Sequence, residues 1–142
     1  MADEGKAQEI QAAEKELDDE HRILIELVDR LKEVGEVGDL ATILDELHPA
    51  LHEHFQKEEH PGGLYHRIGA CSERYRDLVR ELVDDHYRIL SKVRALSARS
   101  KDAAPADADG LITESRKLVG WLKAHGARER DMAEVAREAA LA

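Results

Sequence analysis

The chain has 142 residues, a formal net charge of −10, 37% charged residues and 4% aromatic residues. Helix-forming residues dominate, and this composition predicts an all-α protein that forms a single domain over residues 1–142. The acidity argues against binding to nucleic acid or to an anionic membrane, because both require clustered basic residues.

Two helices are predicted in the first half of the chain. Apolar residues spaced by three, four and seven predict a first helix from about Asp3 to Val34, which Gly35 ends. Asp39 is the predicted N-cap of a second helix. Pro49 lies inside this second helix, where it removes one backbone hydrogen bond and is expected to kink the preceding turn.

Two further long helices are predicted in the second half. The Pro61–Gly63 break ends the second helix, and residues 64–70 are expected to form a short broken helix before a third helix from about Ser72 to Ala98. The stretch from Ser97 to Gly110 is the longest expected loop, and the fourth helix follows it. Since short connections make sequential helices antiparallel, the expected fold is an up-down-up-down four-helix bundle.

Four histidines lie on apolar stripes where leucine would be expected, one on each predicted helix, and two of them precede a glutamate by four residues. These six residues are His21, His54, Glu58, His86, His125 and Glu129. Residues four apart on a helix face the same way, so each histidine–glutamate pair enters the bundle together. A buried polar group without a partner costs about 1–3 kcal/mol, so we expect the six side chains to bind a pair of metal ions.

The heights of the histidines along the helices support a shared site. His21 and His54 lie almost the same number of residues from the turn that joins their helices, so they should be level. His86 and His125 are level by the same count. Imidazole and carboxylate ligands suit Fe(II), while zinc, the main rival, favours four-coordinate sites. Two glutamates and a bridging hydroxide would nearly neutralise two divalent ions.

The other four histidines are expected outside the site. His52 points away from the apolar stripe, and His48 and His60 lie to the side of it. His48 and His52 form an i, i+4 pair that could bind metal adventitiously. His66 lies in the segment between the second and third helices, where it is either an additional ligand or a surface residue, the usual place for a loop residue.

In order along the chain, the ligand fragments resemble the hemerythrin-like, or HHE cation-binding, family. They are Asp19-Glu20-His21-Arg22, Leu51 to Glu59, Asp85-His86 and Leu122 to Glu129. The resemblance implies a four-helix bundle with a non-haem di-iron centre, two Fe2+/Fe3+ ions joined by an oxo or hydroxo bridge. It also implies that His21 and His54 ligate one iron, that His86 and His125 ligate the other, and that Glu58 and Glu129 bridge them.

The chain departs from the oxygen-carrying hemerythrins at two places. Those proteins have a second histidine four residues from the first on the third helix, whereas Leu82 and Leu90 flank His86 here. They also carry an aspartate five residues after the last histidine, where this chain has Arg130. Both departures are similar to the wider HHE group, which is associated with iron or oxygen sensing, peroxide and nitric oxide responses, and iron handling.

The sequence therefore predicts a cytoplasmic di-iron protein that binds or reacts with a small diatomic or peroxide ligand: dioxygen, peroxide or nitric oxide. An iron sensor or store without turnover is the main alternative, and a metal-free helical interaction module is a third. The lone Cys71, the acidic first ten residues and the lack of a run of ~20 apolar residues indicate a soluble protein in a reducing compartment. The intramolecular core accounts for the apolar stripes, so the oligomeric state stays open.

Overall fold

The computed structural model describes residues 2–142, and these residues form helices and turns without any β-strand. The helices are α1 (Glu4–Glu16), α2 (Asp18–Lys32), α3 (Val37–Glu59), α4 (Leu64–Gly69), α5 (Glu73–Lys101) and α6 (Ala108–Leu141), with a 3₁₀ turn at Pro105–Asp107. The predicted all-α class is confirmed, but the described residues form six α-helices where four long helices and one short helix were expected. Within the described residues, no helix is both long and apolar enough to cross a membrane.

The first predicted helix is divided at Leu17, where a continuous helix from Asp3 to Val34 was expected. The Leu17 N–H bonds to the Glu14 carbonyl, which closes α1, and α2 begins at the next residue. Acidic residues fill the first turn of α2, where the helix dipole favours negative charge. As a result of the division, α1 packs on α4 and α6, while α2 packs on α3 and α6.

Helix α3 starts slightly earlier than predicted and continues through its proline. Its N-cap is Glu36, so Asp39 lies in the first turn and does not cap the helix. Pro49 lies within the helix, which extends to Glu59. The expected start was therefore three residues too late, whereas the site-bearing end of the helix lies where the sequence predicted it.

The chain turns sharply between α3 and α4 at two glycines. Gly62 has φ +87°, a left-handed conformation that glycine adopts without strain. A Cβ atom on Gly63 would overlap the Lys57 carbonyl oxygen, so only glycine fits there. The predicted break is confirmed, and the short helix expected over residues 64–70 is α4.

The long loop predicted from Ser97 to Gly110 is mostly helical, which corrects that expectation. Helix α5 continues to Lys101, and only Asp102–Ala104 separate it from the 3₁₀ turn and α6. Two serines that indicated a loop instead form hydrogen bonds within the fold: Ser100 donates to the Leu96 carbonyl, and Ser97 donates to Asp45 of α3. These bonds satisfy the hydroxyls inside a helix.

Two apolar clusters fill the interior, and the predicted ligands lie between them along each long helix. The larger cluster joins α2, α3, α5 and α6 and includes Leu31, Leu44, Val93 and Leu118. The smaller cluster joins α1, α4, α5 and α6 and includes Ile10, Ile68, Leu82 and Ala136. Helices α5 and α6 contribute to both clusters, while α2 and α3 complete the larger one and α1 and α4 the smaller one. Apolar residues therefore enclose the site on both sides.

Candidate metal centre

The structure brings all six predicted ligand residues together in the interior. His21 comes from α2, His54 and Glu58 from α3, His86 from α5, and His125 and Glu129 from α6. Five of the six are buried, with Glu58 fully inaccessible, and His21 is half-buried. The expected level pairing of the histidines is confirmed, because ring centroids lie 4.6 Å apart for His21 and His54 and 4.8 Å apart for His86 and His125.

The six side chains form two overlapping groups. Glu58, His86, His125 and Glu129 each offer one donor atom, and these four atoms lie within 4.8 Å of one another. His21, His54 and Glu58 form a second group by the same measure. Since Glu58 belongs to both groups, the arrangement provides two neighbouring cation positions that share a carboxylate.

Several donor atoms face one another at short range. The Nε2 atoms of His86 and His125 lie 3.1 Å apart, and His86 Nε2 is 3.2 Å from a Glu58 oxygen. His125 Nε2 is 3.1 Å from a Glu129 oxygen, and His54 Nε2 is 3.5 Å from the other Glu58 oxygen. This convergence of imidazole nitrogen and carboxylate oxygen is the donor set that divalent transition metals take.

Unpaired carboxylate oxygens show that the residues fit a metal. Both oxygens of Glu58 and one oxygen of Glu129 are buried and make no hydrogen bond to any residue in 2–142. A buried acceptor without a partner costs about 1–3 kcal/mol, and more when it is charged. Cations at the two positions would satisfy these three atoms, whereas an apolar core would leave them unpaired.

The pKa values of the two glutamates, Glu58 and Glu129, are shifted in opposite directions. Burial and then the charge of Glu129 raise the pKa of Glu58 well above its usual range. Burial alone would raise the pKa of Glu129, but contact with Glu58 and His125 outweighs it and lowers the pKa to about 2. The metal-free pair therefore holds one proton on Glu58, which a cation would displace.

Two of the buried imidazoles, those of His54 and His86, are held in the neutral form that binds metal. Burial, reinforced by His125, lowers the pKa of His86 to about 3. Burial and the neighbouring His21 also lower the pKa of His54. Neutral imidazole leaves a lone pair on one nitrogen, and that lone pair is the ligand a metal requires.

Three carboxylates outside the donor set orient the histidines, and we call them the outer carboxylates. His54 Nδ1 donates to Glu20 at 3.4 Å, His86 Nδ1 to Glu59 at 3.1 Å, and His125 Nδ1 to Asp85 at 3.4 Å. With Nδ1 donating outward, each Nε2 lone pair points at the centre. Carboxylate partners of this kind fix the tautomer of metal-binding histidines and raise their basicity.

A family model of the hemerythrin HHE cation-binding domain matches residues 12–134, a range that includes all six side chains. The chain belongs to the hemerythrin HHE family. Comparisons with curated proteins and with solved structures gave no significant match. The family and the His/Glu cluster together indicate a metal-binding protein.

Sequence reasoning missed one residue of this hemerythrin HHE site, Tyr65 on α4. Its ring is buried, and its hydroxyl lies 2.9 Å from His86 Nε2. Burial raises the pKa of Tyr65, so its hydroxyl keeps its proton and donates to the imidazole. The signal available in the sequence was the apolar spacing of Leu64, Tyr65 and Ile68, which places Tyr65 on the inner face of α4.

The remaining histidines lie outside the HHE site. His66 is exposed on α4, so it is a surface residue and not an additional ligand. His52 and His60 are exposed, and His48 is half-buried with its ring stacked on His52 at 6.4 Å. The predicted face assignment of α3, with His54 inside and His52 outside, is confirmed.

A cleft of about 610 Å³ leads from the surface to the HHE site between α2 and α6. His21, His54 and His125 line it together with both glutamates, whereas His86 and Tyr65 do not. Its walls also include the apolar side chains Leu24, Val28, Leu51 and Leu122. Phe55, which also lines the cleft, stacks on His86 at 3.7 Å and belongs to the larger apolar cluster.

Proposed function

We propose that this hemerythrin HHE chain is a non-haem di-iron protein that binds or reacts with dioxygen, peroxide or nitric oxide. The observation that carries the proposal is that Glu58 belongs to both ligand groups. A carboxylate shared in this way brings two cations close enough to act on one small molecule. In the proposed arrangement the long helices form the up-down-up-down four-helix bundle of a single domain.

Iron is the metal that suits these donors best. The site offers four imidazoles and two carboxylates with the Tyr65 phenol beside them, more donors than one tetrahedral zinc ion would take. Histidine and carboxylate ligands with room for an exogenous ligand are typical of non-haem iron. His21 and His54 would hold one ion, His86 and His125 the other, and Glu58 and Glu129 would bridge them.

When bound, the iron pair would supply electrons to, and a coordination position for, the small ligand. The protein's own residues control access and protons. The cleft admits a small molecule past Leu24, Val28 and Leu122, whose apolar side chains limit the water that accompanies it. The Tyr65 hydroxyl is a hydrogen-bond donor at the buried end of the site.

Iron sensing or storage is a second candidate, favoured by the three unpaired carboxylate oxygens. Because the metal-free core leaves these atoms unsatisfied, loading with iron would stabilise the fold, which is the coupling that an iron-responsive protein needs. This candidate predicts iron binding without consumption of dioxygen or peroxide.

Stopped-flow mixing of the anaerobically loaded ferrous protein with air-saturated buffer, peroxide or nitric oxide separates the candidates. We expect visible absorbance changes that are faster than those of free ferrous iron and that are lost in His54→Ala. His52→Ala is the matched control, since this exposed histidine lies two residues away on the same helix. Iron uptake with no reaction toward any of the three ligands would exclude the reactive proposal and favour storage or sensing.

A further inference from the structure

The outer carboxylates reveal an internal repeat. In the first half, Glu20 precedes His21, accepts from His54 and forms an ion pair with Lys57. In the second half, Asp85 precedes His86, accepts from His125 and forms an ion pair with Arg128 at 2.5 Å. Each half thus has an acidic residue followed by histidine on one helix, and the pattern histidine–x–x–lysine or arginine–glutamate on the next.

The repeat places equivalent residues in equivalent roles. His21 corresponds to His86, and His54 corresponds to His125. In each half, a surface cation one turn after the ligand histidine holds the outer carboxylate against that histidine. We name the position served by His21 and His54 the first subsite, and the position served by His86 and His125 the second subsite.

The repeat fails at one position, and this failure makes the subsites unequal. Glu59, directly after Glu58, accepts from His86 Nδ1 at 3.1 Å. The residue directly after Glu129 is Arg130, which lines the cleft together with His21. Within residues 2–142 no carboxylate lies in hydrogen-bonding reach of the His21 ring, so one of the four imidazoles has no outer carboxylate.

Glu59 also differs from the other outer carboxylates in its charge environment. Lys57 balances Glu20, and Arg128 balances Asp85, whereas no lysine or arginine within residues 2–142 pairs with Glu59. Its carboxylate can therefore stabilise the positive charge that develops on the His86 imidazole when Nε2 binds a cation. The second subsite has two supported histidines, and the first has one.

Donor number and burial reinforce the same difference. In the metal-free structure Glu129 groups with the second subsite, which has four converging donor atoms with the Tyr65 hydroxyl beside them, whereas the first has three. His86 is buried and does not line the cleft, whereas His21 is half-buried and does. The less supported ion is therefore the one nearer to solvent.

We propose that Glu59 makes the two subsites hold iron unequally: the second subsite retains its ion tightly, and the first exchanges its ion. Glu59 is the positioning residue that produces the difference. This inference rests on the proposed di-iron function. Loss of an outer-shell partner lowers metal affinity by about 10–100-fold, which sets the expected difference between the subsites.

The test is release of ferrous iron from the anaerobically loaded protein to an excess of a coloured ferrous chelator. We expect two phases of equal amplitude, with the slow phase at least ~10-fold slower than the fast phase. His21→Ala should remove the fast phase and keep the slow one. Glu59→Ala should accelerate the slow phase by ~10–100-fold, and Glu59→Gln, whose amide oxygen still accepts a hydrogen bond, should have a smaller effect.

Two exposed acids serve as matched controls. Glu53→Ala removes a carboxylate from the solvent face of α3, and Asp84→Asn removes a charge beside Asp85; neither should change either phase. Release of two ions in one phase, or acceleration of only the fast phase by Glu59→Ala, would overturn the inference and leave the di-iron proposal intact. Fewer than two ions per wild-type chain would instead refute the di-iron proposal. Circular dichroism of each metal-free variant checks that it is folded.

Discussion

The substitution Glu58→Met should make the protein more stable than wild type without metal and less stable than wild type with metal. Glu58 is fully buried, and neither of its carboxylate oxygens makes a hydrogen bond within residues 2–142. Methionine has similar length and no such oxygens. It removes a cost of about 1–3 kcal/mol for an unsatisfied buried group, so the metal-free variant should be more stable than the metal-free wild type.

The magnitude can be expressed as melting temperature. For a domain of this size, 1 kcal/mol corresponds to about 2–4 °C, so a gain of about 1–3 kcal/mol should make metal-free Glu58→Met melt about 2–12 °C higher than metal-free wild type. Ferrous iron at a thousand times its dissociation constant adds about 4 kcal/mol per site to the wild type. The variant loses the shared ligand, so it should gain much less, and the loaded wild type should then be the more stable protein.

Thermal unfolding followed by circular dichroism measures the melting temperatures of the wild type and the variant, each with chelator and with anaerobic ferrous iron. Glu58→Gln is a second variant, because it removes the charge but keeps buried polar atoms at the same position, so it separates the effect of the charge from that of the unpaired atoms. Glu53→Met, on the exposed face of α3, is the control and should shift neither state. A metal-free Glu58→Met protein that is less stable than wild type would refute the reasoning from unpaired oxygens.

Three further predictions follow from the same contacts. Because burial lowers the pKa of His86 to about 3, the unfolded chain takes up a proton at a higher pH than the folded chain does. This residue should therefore cost the metal-free protein about 2 kcal/mol of stability between pH 7 and pH 5. Since the raised pKa of Glu58 acts in the opposite direction, the denaturant titrations use Glu58→Gln, and stability that rises on acidification in this variant would contradict the prediction. Gly63→Ala should lower the free energy of unfolding by more than about 1 kcal/mol, because its Cβ would meet the Lys57 carbonyl. Gly120→Ala, which has open space in α6, should raise it by about 0.5–1 kcal/mol. Equal melting temperatures for the two variants would contradict the tight turn at Gly63. Tyr65→Phe should lower metal-free stability by about 1 kcal/mol through loss of the bond to His86, and an unchanged denaturation midpoint would show that this bond contributes nothing.

The sequence predicted the interior of this protein better than its connections. Helical periodicity alone placed His54 inside and His52 outside, and counting residues along helices paired His21 with His54. These predictions depend only on the regular geometry of an α-helix, which the sequence pattern reports directly. The six-residue cluster could be predicted from the sequence for that reason.

Features that depend on how helices pack were not predictable. The division at Leu17 accompanies a change of packing partner from α4 to α3, and helical periodicity continues on both sides of it, so the sequence pattern does not reveal the division. The pairs Glu20–His54 and Asp85–His125 join neighbouring helices whose relative rotation the sequence does not give. Tyr65 enters the site because α4 folds against α5 after the Gly62–Gly63 turn, a tertiary consequence of the turn.

The iron content of the wild-type protein tests the central claim most directly. The chain should be stripped with chelator, loaded anaerobically with ferrous iron, freed of excess metal and analysed for iron and protein together. The shared position of Glu58 predicts two iron ions per chain. Saturation at one ion, or retention of two ions by a His54→Ala, His125→Ala double variant, would contradict the account of two positions held by this cluster.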